Sequence, residues 1–177
     1  MAKTQLKAKT SLKAKTSLKS KTDLSKSKAK KHSIAWYKKE ARKYFNKAVK
    51  YRDSERMSDG SFVFECITCD DRTLFSYIDK DGTRRFMKNA QAGHFMPEIY
   101  NNTRYEYENV NGQCGMKCNK LGLGEQVKYA RALDLKYGDG TSKKLEGMAK
   151  EQRSFTVDEL QEIIHDAKEE IAFYESA

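Results

Sequence analysis

Cys66-Ile-Thr-Cys69 and Cys114-Gly-Met-Lys-Cys118 contain all four cysteines of the chain, in two short knuckles with residues 70 to 113 between them. A short C-x-x-C turn presents two thiolates to one tetrahedral ion without strain. Two such turns therefore read as one structural zinc site with Cys66, Cys69, Cys114 and Cys118 as ligands. Thiolates are soft ligands, and a closed four-sulfur shell leaves zinc no reactive position. Two disulfides are the competing reading, disfavoured for an intracellular chain. A thioredoxin-like redox motif needs only one C-x-x-C and a βαβ context absent here.

Working outward, Phe62-Val-Phe-Glu-Cys66 is short, aromatic and β-branched, and the turn signals Asp70-Asp71 and Lys80-Asp81-Gly82 follow it, which predicts short strands or a hairpin. Upstream, Ser33 is a plausible N-cap. From it Ile34, Tyr37, Ala41, Tyr44, Phe45 and Ala48 recur at three and four, an amphipathic helix ending near the polar stretch Asp53 to Gly60. Trp36 lies beside that stripe and reads as packing. Downstream, Thr156-Val-Asp-Glu159 is a capping box opening a helix whose Val157, Leu160, Ile163, Ile164, Ala167, Ile171 and Tyr174 share a face. His165 on that helix reads as a surface or packing residue. The expected class is α+β, a zinc-stapled core flanked by N- and C-terminal helices. A chain of 177 residues and 20.4 kDa has room for one domain with an arm.

The arm is visible in the charge. The formal net charge is +10. Residues 1 to 31 hold eleven lysines and one acid, Asp23, so 11 − 1 = +10, and the remainder balances at 35 − 11 = 24 basic against 25 − 1 = 24 acidic residues. The arm repeats a hexapeptide, Lys3-Thr-Gln-Leu-Lys-Ala onward, with Leu6, Leu12, Leu18 and Leu24 in register. Six-residue steps scatter those leucines around a helix, so no apolar stripe forms; an extended chain instead sets Lys7, Lys13 and Lys19 on one side with Lys3, Lys9, Lys15 and Lys21. We expect a disordered arm that orders on a polyanion, nucleic acid before membrane. No run reaches the roughly 18 apolar residues of a membrane helix, and no apolar segment follows the charged start as in a secretory signal.

Between and after the knuckles the chain reads Ala90-Gln-Ala-Gly-His94-Phe-Met-Pro-Glu and Thr103-Arg-Tyr-Glu-Tyr-Glu-Asn109-Val-Asn111-Gly-Gln-Cys114, then Asn119-Lys120 directly after Cys118. A His ending a β-run, an Asn about fifteen residues on and an Asn after the second knuckle resemble the HNH, or ββα-metal, endonuclease motif. With Gln91-Ala-Gly-His-Phe95, the lysine-rich leader and Tyr129-Ala-Arg-Ala-Leu-Asp-Leu-Lys-Tyr-Gly138, the chain is similar to the phage NinG/Rap recombination nucleases, from about residue 33 to 177 and most strongly over 60 to 138.

That resemblance implies a basic tail at 1–32, an N-terminal helix at 33–58, an HNH-like nuclease core at 59–138 and a C-terminal helical segment at 139–177. It implies metal-dependent hydrolysis of phosphodiester bonds in branched DNA such as Holliday junctions and D-loops, in the host-cell cytoplasm. His94 is the implied general base, since neutral imidazole accepts a proton near pH 7. Asn109 orients the His-bearing loop, and Asn119 gives an oxygen to catalytic Mg²⁺ or Mn²⁺, which prefer oxygen ligands. Arg104, Lys117, Lys120 and Lys128 are candidate phosphate contacts. The two-fold related strands of a junction make a homodimer an attractive assembly.

The pattern departs from the family at two points. Many HNH sites carry an Asp just before the base; here Gly93 stands there, with Gln91 two before, so the metal has to find another carboxylate, Glu125 being one candidate. The second knuckle has three intervening residues rather than two, which can displace Asn119 by a residue. Asn109 and Asn111 also suit a turn, Tyr105 and Tyr107 alternate as a strand would, and Asp70 and Asp71 read as an exposed turn. A non-catalytic zinc-containing nucleic-acid binder is the alternative function, and an assembly protein using the lysine arm is a third.

Overall fold

The computed structural model describes residues 32–176; the lysine repeat with Lys7, Lys13 and Lys19, and the disorder expected of it, lie outside the described residues. The architecture is mixed α+β. Helix α1 (Ile34–Arg52) leads into strands β1 (Ser54–Arg56), β2 (Phe62–Glu65), β3 (Arg72–Ile78), β4 (Arg84–Phe86), β5 (Ala90–His94) and β6 (Val110–Cys114). A π-helix (Gly115–Leu121) then precedes α2 (Gln126–Tyr137), α3 (Thr141–Ala149) and α4 (Val157–Ser176).

Local chemistry accounts for the helix ends. The Ser33 hydroxyl accepts the Trp36 amide at 3.3 Å and opens α1. At α4 the Thr156 amide donates to the Glu159 carboxylate at 2.8 Å, and the Glu159 amide returns a bond to the Thr156 hydroxyl at 3.2 Å, the reciprocal pairing of a capping box. Helix α1 buries Ala41, Phe45, Ala48, Val49 and Tyr51, while Ile34, expected on the same stripe, is exposed. It stops at Arg52, and the polar residues that follow enter β1.

Strands β1 to β4 form an antiparallel meander. Phe62 and Phe64 point inward from β2 and Phe75 from β3, and these pack with Tyr51 of α1 and Ala167 and Ile171 of α4 as the main core. The Tyr51 ring meets Phe62 and Phe75 edge-on, each at 4.9 Å between centroids. Rings of this size each contribute on the order of 2 kcal/mol when buried, and edge-on pairing adds to it.

Strands β5 and β6 form a separate antiparallel pair, in register from Ala90 opposite Cys114 to His94 opposite Val110. A long loop joins them, and it corrects one expectation. Tyr105 and Tyr107 lie in turns, not in a strand. Tyr105 packs on Phe45 and Phe155 at 5.5 and 5.1 Å, and Tyr107 on Phe45 at 4.9 Å. Both rings reach back to the same helix residue, and that packing, not a pleat, sets their spacing. No helix among the described residues is long and apolar enough to cross a membrane.

Candidate metal centre and the adjoining cleft

Cys66 follows the end of β2, and the turn after it is closed by the Asp70 amide donating to the Cys66 carbonyl at 2.9 Å, with Asp70 itself left-handed at φ 58°. Aspartate tolerates that region better than most residues. Cys114 ends β6, and Cys118 returns one turn later on the π-helix. The wider turn of a π-helix takes up the extra residue of the second knuckle. All four sulfurs lie within 4.8 Å of one another, and Cys69 and Cys114 are 3.9 Å apart. Zinc–thiolate bonds of about 2.3 Å in a tetrahedron require sulfurs about 3.8 Å apart, so the four cysteines could hold a metal ion such as zinc. None of them is in a disulfide.

The electrostatics of the group favour a cation. Burial opposes ionisation of Cys66, but hydrogen bonds from the Thr68 hydroxyl and the Cys114 amide outweigh it and bring the thiol down to about 7. Burial pushes Cys69, Cys114 and Cys118 up. Four thiolates in so small a volume repel one another, and a divalent ion removes that cost.

The β5–β6 pair carries the neighbouring site. His94 ends β5, and its Nε2 lies 3.2 Å from the Arg104 carbonyl. A carbonyl can only accept, so Nε2 carries the proton and Nδ1 keeps its lone pair. Nδ1 is 3.8 Å from the Glu98 carboxylate, which Arg42 holds at 2.8 Å. Burial, only partly offset by Glu98 and the Arg104 carbonyl, holds the His94 pKa below its usual 6.5, so the imidazole is neutral at pH 7.

Asn109 is fully buried beneath the loop that follows His94. Its Oδ1 accepts the Met96 amide at 2.7 Å, and its Nδ2 donates to the carbonyls of Met96 at 3.0 Å and Thr103 at 2.9 Å. It clamps both ends of one stretch of loop and makes no hydrogen bond to the ring of His94. Asn119, one residue past Cys118, donates from Nδ2 to the Gln91 side chain, and its Oδ1 has no hydrogen bond among the described residues.

His94 and Asn119 line one cleft of about 730 Å³, together with Gln91 and Glu98 and with Arg42, Asn46, Lys50 and Lys88. None of the four residues read as phosphate contacts lines it. Arg104 donates from Nε to the Glu98 carbonyl at 2.6 Å, Lys117 pairs with Asp71 at 2.8 Å, Lys128 pairs with Glu125 at 3.0 Å, and Lys120 is exposed outside the cleft. Glu125 lies outside the cleft, paired with Lys128, and the carboxylate that lines the cleft is Glu98, itself paired with Arg42 at 2.8 Å. The Gly93 position has a steric cause. A Cβ there would sit 2.2 Å from Oε1 of Gln113. Gln113 is fully buried, with its Nε2 anchored to the Gly124 carbonyl at 3.1 Å.

Two further residues, Tyr129 and Asp53, set the hairpin, and neither is a site candidate from the sequence. The fully buried Tyr129 donates its hydroxyl to the Gly93 carbonyl at 2.7 Å, one residue before His94. Asp53 accepts the Gly112 amide at 2.7 Å and Lys136 at 2.9 Å, and pairs with Arg52 at 2.9 Å. Burial would raise the Asp53 carboxyl, but the two cations outweigh it and hold it below the usual carboxylate range. Asn111, also readable as a turn residue, is instead buried in β6 and accepts Tyr137 at 2.7 Å and Lys136 at 2.9 Å.

The family model described as bacteriophage Lambda NinG protein matches residues 1–175. The chain belongs to the NinG family. The NinG match spans the lysine-rich residues 1–31 as well as the folded body. No curated protein and no solved structure matches the chain.

Proposed function

We propose that this NinG-family protein is a metal-dependent endonuclease that hydrolyses phosphodiester bonds in branched recombination intermediates of phage DNA, with β5, β6 and the π-helix as an HNH-like ββα core. The observation that carries the reading is the meeting of His94 and Asn119 in one cleft, with the Nδ1 lone pair of a neutral His94 left free by the Arg104 carbonyl. Nδ1 accepts the proton of the attacking water, and Nε2, tied to its carbonyl, keeps the ring in that tautomer. Asn109 holds the loop that bears Arg104 and Glu98, so that the ring meets a fixed environment. Tyr129 does the same from the strand side, through Gly93.

The cleft offers hard oxygen donors, Asn119 Oδ1 and the Glu98 carboxylate, which suit hard divalent cations such as Mg²⁺ or Mn²⁺. Such an ion, when bound there, supplies stabilisation of the charge that develops on the leaving oxygen. Among the described residues the cysteines are where three or more His, Cys, Asp or Glu donors converge. A catalytic ion in the cleft therefore relies on few protein ligands and on water.

The crowding at Gly93, which leaves no room for a carboxylate before the base, favours a second reading: a zinc-containing nucleic-acid-binding protein without chemistry. A labelled four-way junction and a linear duplex of the same sequence, incubated with the protein and Mg²⁺ or Mn²⁺, separate the two. Cutting of the junction in preference to the duplex is expected; a shifted but intact junction favours the binder. Deleting residues 1–31 is expected to flatten the plot of log affinity against log salt by about 0.9 for each phosphate the arm neutralises, while the truncated chain still cuts at low salt. An unchanged slope would remove the arm from DNA binding.

A further inference from the structure

We propose that the face of α1 bearing Arg42, Asn46 and Lys50 is the wall along which the DNA strand runs, with Lys50 holding one of its backbone phosphates. The proposal rests on reading the cleft as a DNA site.

Arg42, Asn46 and Lys50 stand four residues apart on one helix face, and all three line the cleft with His94 and Asn119. Four residues of helix rise about 6 Å, a step comparable with the separation of successive phosphates along a strand. Of the cations that line the cleft, Arg42 is paired with Glu98 at 2.8 Å, Lys88 is exposed, and Lys50 is half-buried without a counter-ion among the described residues. Residues 32–177 carry 24 basic and 24 acidic residues, and the neighbouring cations of α1 are taken: Lys43 by Glu40, Lys47 by Glu175 at 2.9 Å, Arg52 by Asp53 at 2.9 Å.

Lys50 has no carboxylate partner among the described residues. Its ammonium reaches the Ala90 carbonyl at 3.4 Å and lies 4.8 Å from the centre of the Phe75 ring. Half-buried against an aromatic face, it has lost water without gaining an anion, an arrangement that costs free energy until an anion arrives. Burial, and after it the charge of Lys47, pull its pKa down to about 8. An oxygen ligand such as a phosphate, presented in the cleft, supplies the missing counter-ion and gains a charge-assisted hydrogen bond.

The test measures binding of the full chain to a four-way junction without added divalent ion, so that no strand is cut. The junction is made with a neutral methylphosphonate replacing one phosphate at a time. Lys50→Met is expected to weaken binding of the all-phosphate junction about tenfold and to lower the salt slope by about 0.9. At one linkage the methylphosphonate should weaken the wild type by a similar factor and leave Lys50→Met unaffected, and Lys50→Arg should restore the sensitivity. Wild-type affinity and slope in Lys50→Met would overturn the proposal. So would weakened binding with no linkage at which the two changes merge, since that marks a structural role. Equal competition by millimolar inorganic phosphate would also overturn it, because the site would then be for a small anion. Lys50→Gln repeats the cycle should the methionine variant melt early. Cutting is not read in this experiment, so its outcome and that of the nuclease reading fail independently.

Discussion

Replacing Cys66 with serine is expected to strip the metal from the protein and lower its melting temperature by roughly 10 °C or more. Cys66 is fully buried, directly follows the strand that places Phe64 in the core, and its sulfur accepts the Cys114 amide at 3.3 Å. Serine nearly preserves the volume but replaces a soft ligand by a hard one that stays protonated, so a tetrahedral thiolate shell loses a corner. In small zinc modules the ion's binding free energy is folding free energy, apparent values reaching about 10–16 kcal/mol. A loss of even 3–5 kcal/mol lowers the melting point of a body this size by about 2–4 °C per kcal/mol. Cys114→Ser should behave alike, and a strong chelator should reproduce both. Metal content by atomic absorption and melting by circular dichroism are the measurements. A Cys66→Ser protein that retains one zinc per chain and melts with the wild type would remove the four-cysteine centre from the account.

The second large effect is confined to chemistry. His94→Ala is expected to lower junction cleavage by about a thousandfold, within the 10²–10⁴ that a positioned general base contributes, while zinc content and melting change little. His94 stands outside the cysteine group and makes one hydrogen bond, to the Arg104 carbonyl. The wild-type rate should also report the ring's ionisation. The neutral form accepts the proton, and burial depresses its pKa below 6.5. The rate should therefore be full at pH 7 and fall as the pH is lowered through that depressed value. A loss of zinc in His94→Ala would make the histidine structural instead.

The features legible in the sequence are the local ones. The knuckles are contained in four and five residues, the α4 start in a four-residue capping box, and α1 in a helical repeat; the structure has each where its own residues put it. What was illegible depends on residues distant in the chain. Asp53 looked like one acid in a polar stretch, yet its carboxylate bonds an amide at residue 112 and a lysine at 136. Tyr129 belonged to a recognisable segment, but nothing there says that its hydroxyl reaches the carbonyl before His94. Charge misled most. The lysines around the second knuckle stood beside the motif and so read as phosphate contacts. In space Lys117 and Lys128 are neutralised by acids, and the cations facing the cleft come from α1 and from Lys88. Sequence shows how many cations there are; only the fold shows which lack a partner.

The most direct measurement is single-turnover cleavage of a labelled four-way junction by saturating amounts of wild type and of His94→Ala, side by side, with Mg²⁺ and without added divalent ion. The predicted result is cut strands in the wild-type lane with Mg²⁺ alone, and equal DNA occupancy but almost no product with His94→Ala. Bound, uncut junction in every lane, or equal cutting by both proteins, would contradict it.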